Sequence, residues 1–283
     1  MLDEAALNAF IRSALAEDIG SGDHSTMACI PPTAKGKAVL KIKEDGILAG
    51  MEVAEAIFKW LDMFTVFTPH KKDGDPMKAG ETAFEVEAAV HTLLMGERLV
   101  LNCMQRMSGI ATLTHRYVEK LKGYHTRILD TRKTTPNFRM LEKEAVRIGG
   151  GVNHRMGLYD MVMLKDNHID FSGGITAAVT NTVAYLKERN LPLEIEVETR
   201  NLNDVKEVLA VGQVNRIMLD NFAPADIVKA LALINGRFET EASGGITIDT
   251  LEEYAKTGVD YISVGAIIHH AVSLDLSLKA IIL

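Results

Sequence analysis

Asp130 to His168 reads DTRKTTPNFRMLEKEAVRIGGGVNHRMGLYDMVMLKDNH. It gathers Arg132, Lys133, Arg139, Lys143, Arg147, Arg155 and Lys165 in a chain whose formal net charge is -7. Arg132 and Lys133 directly follow the apolar run TRILD, beside the hydroxyls of Thr131, Thr134 and Thr135. A guanidinium offers a planar fork to a carboxylate, and an ammonium is a mobile point charge suited to phosphate. The same pair could also be a basic loop in solvent. His154 and Arg155 lie just beyond Gly149–Gly151. One glycine there is an ordinary helix cap, whereas three imply close backbone approach or a mobile loop. Lys165 closes an apolar run, so its stem is expected to be buried with its head at a strand end. It could form a Schiff base, which needs a depressed pKa. Four cations around one mouth, Arg132, Lys133, Arg155 and Lys165, favour the other reading, a pocket for a polyanion. Arg139, Lys143 and Arg147 share helical spacing with Glu142 and Glu144 and read mostly as ordinary helix charges.

Carboxylates follow on later segments. Glu196 in LEIEVE and Asp220 in NRIMLD suit a divalent cation or a developing positive charge, or else ion pairs with the basic residues. Glu194 and Glu198 share the strand face of Glu196, so alternation alone does not single it out. SGGI (Ser243, Gly244, Gly245, Ile246) and SVGAI (with Val264, Gly265, Ala266) are glycine turns between a strand and a helix. Their backbone N–H groups can cradle phosphate. There is no GxxxxGK[ST]. Residue chemistry alone therefore points to a carboxylate-bearing substrate, a phosphate-bearing one, Mg2+ and no nucleophilic triad. The reaction class is transfer or substitution at a carbon near phosphates.

The elements positioning these residues fall into two patterns. Up to about Asn102, strands and helices mix. A helix is predicted over Glu4–Glu17, an alternating strand over Ala38–Ile42, a helix at MEVAEAIFKWL, and strands at FTVFTP and TAFEVEA, which together make an α+β domain. From Thr126 the apolar runs TRILD, DMVMLK, LEIEVE, NRIMLD, FETEAS and DYISVG alternate with amphipathic helical stretches, the later units recurring every 21 to 24 residues. Such a βα series gives parallel strands with right-handed crossovers. Polar or glycine residues at every strand end favour a barrel, which collects its site from all strands, over a doubly wound sheet, which uses one switch point. With six clear units rather than eight, an incomplete TIM-like α/β barrel is expected.

Composition sets the outer bounds. The 283 residues, 47% apolar and 24% charged, suit a globular protein of one large or two moderate domains. No apolar run reaches the roughly 20 residues that span a bilayer, so no membrane partner is expected. Net acidity speaks against nucleic acid as a partner. Cys29 and Cys103 have no metal-ligand spacing and read as free buried thiols of a reducing, cytoplasmic compartment.

The ordered segments DTRKTTP, LEKEAVRIGGGVNHR, LKDNH, EIEVE, MLDNF and EASGGI, with EDIGSGDHST, DGILAG, GERLVLN and SGIAT upstream, resemble the quinolinate phosphoribosyltransferases over nearly the whole chain. The resemblance implies an N-terminal α+β sandwich domain over 1–108, joined by a returning C-terminal helix at about 271–283, and an irregular barrel over 109–270. It implies that Arg132, His154, Arg155 and Lys165 bind the quinolinate carboxylates and that Lys133 contacts both substrates or the pyrophosphate, with Thr131 beside them. Glu196 and Asp220 would hold the ribose hydroxyls and Mg2+ and stabilise the anomeric cation. Ser243–Gly245 and Val264–Ala266 would cradle the 5-phosphate. Arg98, otherwise a helix-surface charge, would reach the site of a neighbouring subunit in a homodimer or larger assembly. The implied activity is a pentosyltransferase of NAD biosynthesis that makes nicotinate mononucleotide, pyrophosphate and CO2. Nicotinate phosphoribosyltransferase, a Schiff-base aldolase using Lys165 and a non-enzymatic anion-binding scaffold are the competing readings.

Overall fold

A computed structural model describes residues 2–281. The chain opens with α1 (Glu4–Ile19), α2 (His24–Cys29), β1 (Lys35–Ile42), β2 (Gly46–Ile47), α3 (Met51–Leu61), β3 (Val66–Pro69), β4 (Pro76–Met77), β5 (Thr82–Ala89) and α4 (Val90–Lys120). It continues with β6 (Arg127–Leu129), α5 (Arg139–Ile148), β7 (Val162–Leu164), α6 (Asp166–Ser172), α7 (Ile175–Glu188), β8 (Ile195–Thr199), α8 (Leu202–Val211) and β9 (Arg216–Asp220). It closes with α9 (Pro224–Ile234), β10 (Glu239–Ser243), α10 (Leu251–Ala255), β11 (Tyr261–Ser263), α11 (Ala266–His269) and β12 (Leu276–Ile281). Two compact units result. The first holds residues up to His115, Thr134–Gly150 and the chain from Ile267; the second holds Arg116–Lys133 and Gly151–Ala266.

The first unit is built on an antiparallel sheet in the order β12-β1-β5-β3. Leu40 of β1 faces Phe84 of β5 and Leu278 of β12 in register. In α3, Val53, Ala54, Ile57 and Phe58 recur at helical spacing and are fully buried, and Phe58 meets Phe84 edge-on at 6.3 Å. Burying each such side chain contributes about 1.5–3 kcal/mol. Helix α1 is capped by Asp3, whose carboxylate accepts from the Ala6 N–H at 2.7 Å.

Four expectations need correction in this unit. The last segment is a strand through Ile281, not a helix: Leu276 and Leu278 are buried and alternate with Ser277 and Lys279, a period of two that pairs with β1. Residues 282 and 283 lie outside the described residues. Helix α5, read as one of the barrel's own, belongs to the first unit. There Phe138 stacks edge-on with Phe10 at 5.5 Å, and fully buried Glu142 accepts from Arg106 Nη2 at 2.8 Å and from the Thr135 N–H at 2.8 Å. Lys143 is likewise fully buried, so the helix charges here are not a solvated face; Arg147 keeps the expected surface pairing, with Glu144. Cys103 is buried, with its thiol pushed up to about 12 by that burial, but Cys29 is exposed.

The second unit is a parallel sheet in the order β6-β11-β10-β9-β8-β7. A single bridge adds Val152 to the free side of β6. Followed around, β6, Val152, β7, β8, β9, β10 and β11 come in chain order, and the last pairs with the first. A doubly wound sheet would place an early strand at its centre instead. Among the described residues this is a barrel with one unpaired seam, between Val152 and β7, as the missing units in the sequence foretold. One strand face carries Ile195, Val197, Ile217, Leu219, Ala242 and Ile262, all buried. The opposite face is unusual for a barrel core, which branched apolar residues normally fill. It carries Glu196, Arg216 and Glu241, also buried. Among the described residues no helix is long and apolar enough to cross a membrane.

Candidate active site

All the site residues expected from the sequence except Arg98 fall in the barrel unit, and apart from Glu196, near the start of β8, they end or follow strands. Asp130, just past β6, is fully buried; it accepts from the His154 N–H at 2.8 Å and from Asn153 Nδ2 at 2.7 Å. That bond ties the stretch after Val152 to the end of β6, so Arg132 and Arg155 come together although 23 residues separate them in sequence. Burial and the neighbouring Arg132 charge both hold the Arg155 guanidinium below its usual range. Glu196 and Asp160 offset part of this, and a bound anion would favour both guanidiniums further. Arg155 Nη1 donates to the Met161 carbonyl at 3.2 Å, which steadies it. Lys133 is exposed, its N–H donating to Thr131 Oγ1 at 3.1 Å.

Lys165 precedes α6 at the end of β7, and its N–H donates to His168 Nδ1 at 3.0 Å. It is exposed, contrary to the expected buried stem. The strand run ends one residue earlier, at Leu164, so Lys165 already belongs to the turn. That exposure does not suit a Schiff-base lysine, which depends on an apolar enclosure or a neighbouring cation to lower its pKa. Glu198 sits on the same rim. Burial raises its carboxyl pKa, the Asp220 charge adds to that, and the Asp166 N–H and Lys165 pull the other way. Asp220, half-buried at the end of β9, accepts from Asn221 Nδ2 at 2.6 Å.

Below this rim lies a buried cluster. His154 Nε2 stands 2.8 Å from Glu196 Oε2 and 3.3 Å from Glu241 Oε2. Burial opposes the imidazolium, but the two carboxylates outweigh it and lift His154 to about 9. Burial and the Glu241 charge raise Glu196 to about 7, and His154 offsets only part of that. For Glu241 burial is outweighed by His154 and Arg216, which lower it. One carboxyl rises and its neighbour falls, the behaviour of a pair that shares a proton. The Arg155 N–H also points at His154 Nδ1 at 2.7 Å, an acceptor role open only to the neutral ring, so it opposes the charge that the carboxylates favour, and both ring nitrogens have protein partners. The His154 ring, expected to bind a substrate carboxylate, is buried and engaged with Glu196 and the Arg155 N–H. Glu196 is similarly directed at His154, not toward Asp220.

Two glycine loops follow. In Ser243–Gly245, Gly244 has φ +101°, and a Cβ there would come 2.9 Å from the Asn221 backbone nitrogen, so only glycine fits. The Asn221 N–H donates to the Ser243 carbonyl at 2.8 Å and pins this loop to β9. Val264–Ala266 runs from β11 into α11, its start held by the Val264 N–H on the Leu129 carbonyl at 3.0 Å. Arg98, exposed on α4 in the first unit, lines a cleft of about 800 Å3 with Phe10, Glu17, Asn102, Arg106 and Phe138.

Sequence reasoning did not name Asp130 and Glu241, and it noted Glu198 only as sharing the strand face of Glu196. Asp130 begins DTRK and was visible as a charge ending an apolar run. Glu241 had a signal in FETEAS, where Glu239, Glu241 and Ser243 share one strand face. Gly149, first of the triple glycine, approaches backbone rather than ligand: a Cβ there would lie 2.4 Å from the Ala111 carbonyl oxygen.

The profile described as quinolinate phosphoribosyl transferase, C-terminal domain, matches residues 110–279, and that of the N-terminal domain matches residues 23–108. The chain is 46% identical to the chloroplastic nicotinate-nucleotide pyrophosphorylase [carboxylating] of Arabidopsis thaliana, over 96% of this chain and 82% of that protein. It is 43% identical to a probable nicotinate-nucleotide pyrophosphorylase [carboxylating] of Synechocystis, over 97% of this chain and 92% of that one. The crystal structure of NadC from Streptococcus pyogenes superposes with a TM-score of 0.92 at 39% identity, covering 100% of this chain and 99% of that one.

Proposed function

The chain belongs to the quinolinate phosphoribosyl transferase family, and from that membership we infer its reaction. It transfers the phosphoribosyl group of phosphoribosyl pyrophosphate to quinolinate with decarboxylation, a step of NAD biosynthesis. The pyridine nitrogen forms the bond to the anomeric carbon as the bond to pyrophosphate breaks. The 2-carboxylate then leaves as CO2, its electron pair staying on the ring carbon until a proton replaces it, which gives nicotinate mononucleotide.

The observation supporting the residue roles is that the Leu129–Val152 bridge and the Asp130–His154 bond bring Arg132 and Arg155 to adjoining strand ends. Paired guanidiniums with Lys165 on the rim supply charge for two carboxylates, which favours quinolinate over singly charged nicotinate. Lys133 meets the pyrophosphate, with the Thr131 hydroxyl beside it. Ser243–Gly245 and Val264–Ala266 hold the 5-phosphate on backbone N–H groups. Asp220 faces the ribose and the cation developing at its anomeric carbon; Glu196, enclosed by His154 and Glu241, acts from below.

Mg2+ fits this mouth in one way. Mg2+ keeps several waters and takes one or two carboxylates plus substrate phosphates. Asp220, half-buried beside Glu198, matches that donor chemistry. The metal-ligating side chains close enough to share one ion, among the described residues, are instead His154, Glu196 and Glu241, and a histidine lifted to about 9 is a poor partner for Mg2+. We therefore assign Asp220, rather than Glu196, as the protein ligand; the ion would neutralise charge on the departing pyrophosphate.

The assembly proposed is a homodimer in which Arg98 of each subunit serves its neighbour's barrel. The location proposed is the cytoplasm, which cell fractionation would read directly. The purified protein, given quinolinate, phosphoribosyl pyrophosphate and Mg2+, is expected to release nicotinate mononucleotide and CO2 in equal amounts. Turnover with nicotinate but none with quinolinate would sink the reading.

A further inference from the structure

One buried carboxylate has no place in the chemistry above. Glu241 is fully enclosed. Neither of its oxygens makes a hydrogen bond of regular geometry, although the Ser263 hydroxyl lies close enough to favour its charge. Its Oε2 stands 3.3 Å from His154 Nε2 and 3.5 Å from Arg216 Nη1. Arg216 is tethered on its far side by Glu239 at 2.8 Å and lies over the Tyr261 ring at 4.5 Å.

Taking such charges out of water is costly, and a well-packed apolar group in their place is often neutral or stabilising. Barrel interiors ordinarily use that cheaper solution. Stability therefore does not account for a glutamate here; what the glutamate orients does. Glu196 holds His154 at Nε2 by a 2.8 Å hydrogen bond with the Glu241 carboxylate 3.3 Å from the same nitrogen, the Arg155 N–H meets Nδ1, and Asp130 accepts the His154 N–H at 2.8 Å. The ring is thus a rigid strut between the barrel's interior layer and the backbone of the arginine crowded against Arg132.

Resting on the reaction proposed above, we propose that Glu241 is a positioning residue of the quinolinate pocket, fixing the His154 ring and through it Arg155 in the orientation that receives a ring carboxylate. It touches no substrate. Its effect is expected on quinolinate because the strut runs to Arg155, and since Ser263 beside Glu241 adjoins the Val264–Ala266 loop, the KM for phosphoribosyl pyrophosphate is the control.

The test is steady-state kinetics on the purified full chain with Mg2+, varying quinolinate and phosphoribosyl pyrophosphate separately. Glu241→Gln keeps the shape and removes the charge. It is expected to raise KM for quinolinate at least tenfold, to change kcat less, and to leave KM for phosphoribosyl pyrophosphate within twofold. Glu241→Asp is expected to recover part of the loss, and it carries the test alone if the glutamine variant does not fold. Titration calorimetry with phosphoribosyl pyrophosphate shows that each variant retains its other site. An unchanged KM for quinolinate overturns the proposal. So does an equal loss for both substrates, which marks a merely structural role, or Mn2+ binding that Glu241→Gln abolishes, which marks a metal ligand. A wild-type protein idle on quinolinate sinks the reaction itself, whereas an active wild type with an indifferent glutamine variant sinks only the role of Glu241.

Discussion

At the scale of single residues, the buried cluster ties stability to pH in a direction unusual for carboxylates. His154 is held near 9 in the folded chain against 6.5 when free. A group whose pKa rises on folding contributes fully below its unfolded value, and the contribution fades as pH climbs through the folded one. Glu196, raised from 4.5 to about 7, acts with the same sign at lower pH, and Glu241, lowered, matters only in acid. The Arg155 N–H at Nδ1 takes back part of this, so urea unfolding is expected to show a loss of roughly 1–2 kcal/mol between pH 6.5 and 9.5. His154→Gln should flatten that slope, and an equally steep slope in the variant would refute the assignment. The sequence revealed the residues that end strands. Arg132, Arg155 and Asp220 were readable because each stands where a buried stretch gives way to a polar loop, and a charge there has water or a ligand to face. It did not reveal which side chains spend their bonding capacity on each other. His154 looked like a ligand group because nothing local showed that two glutamates from distant strands converge on it.

Elements were legible where a periodicity was long enough to separate two from 3.6. The helix MEVAEAIFKWL is found residue for residue as α3, and all six apolar runs after Thr126 are strands. The segment at about 271–283 failed because LSLKAI is short, and its alternation became informative only with β1 available as a partner. Helix α5 was identified as a helix but given to the wrong unit, since chain order says nothing of what Phe138 and Glu142 pack against. The glycine loops are the elements on which substrate geometry rests most directly. Gly244→Ala combines a positive φ with a clash against the Asn221 backbone. Such strain is worth a few kcal/mol at a site that cannot shift. Phosphoribosyl pyrophosphate affinity measured by calorimetry should fall at least tenfold, with the thermal unfolding midpoint lowered by about 5 °C. Undiminished affinity would remove this loop from the phosphate site.

At the scale of the whole molecule, the proposed sharing of sites makes a quantitative claim. Arg98→Ala and Lys133→Ala should each be inactive alone. After random exchange in a two-fold dimer, half the molecules are hybrids, and each hybrid has one site with both residues intact. Activity of about a quarter of the wild-type value is expected, and none after verified subunit exchange would argue that Arg98 does not serve a neighbour. The two-unit division was visible in outline as a change of rhythm near Thr126, though Thr134–Gly150 and the chain from Ile267 return to the first unit. The return of β12 has a consequence for how the protein is made. Lys37 of β1 pairs with Ile281, so one flank of the first sheet stays unpaired until almost all of the described chain has left the ribosome. At about 5–20 residues per second the wait lasts tens of seconds. An open strand edge invites pairing with other nascent chains. The order of synthesis thus lets the barrel, encoded between, close while the unit begun first is still unfinished and most in need of a chaperone.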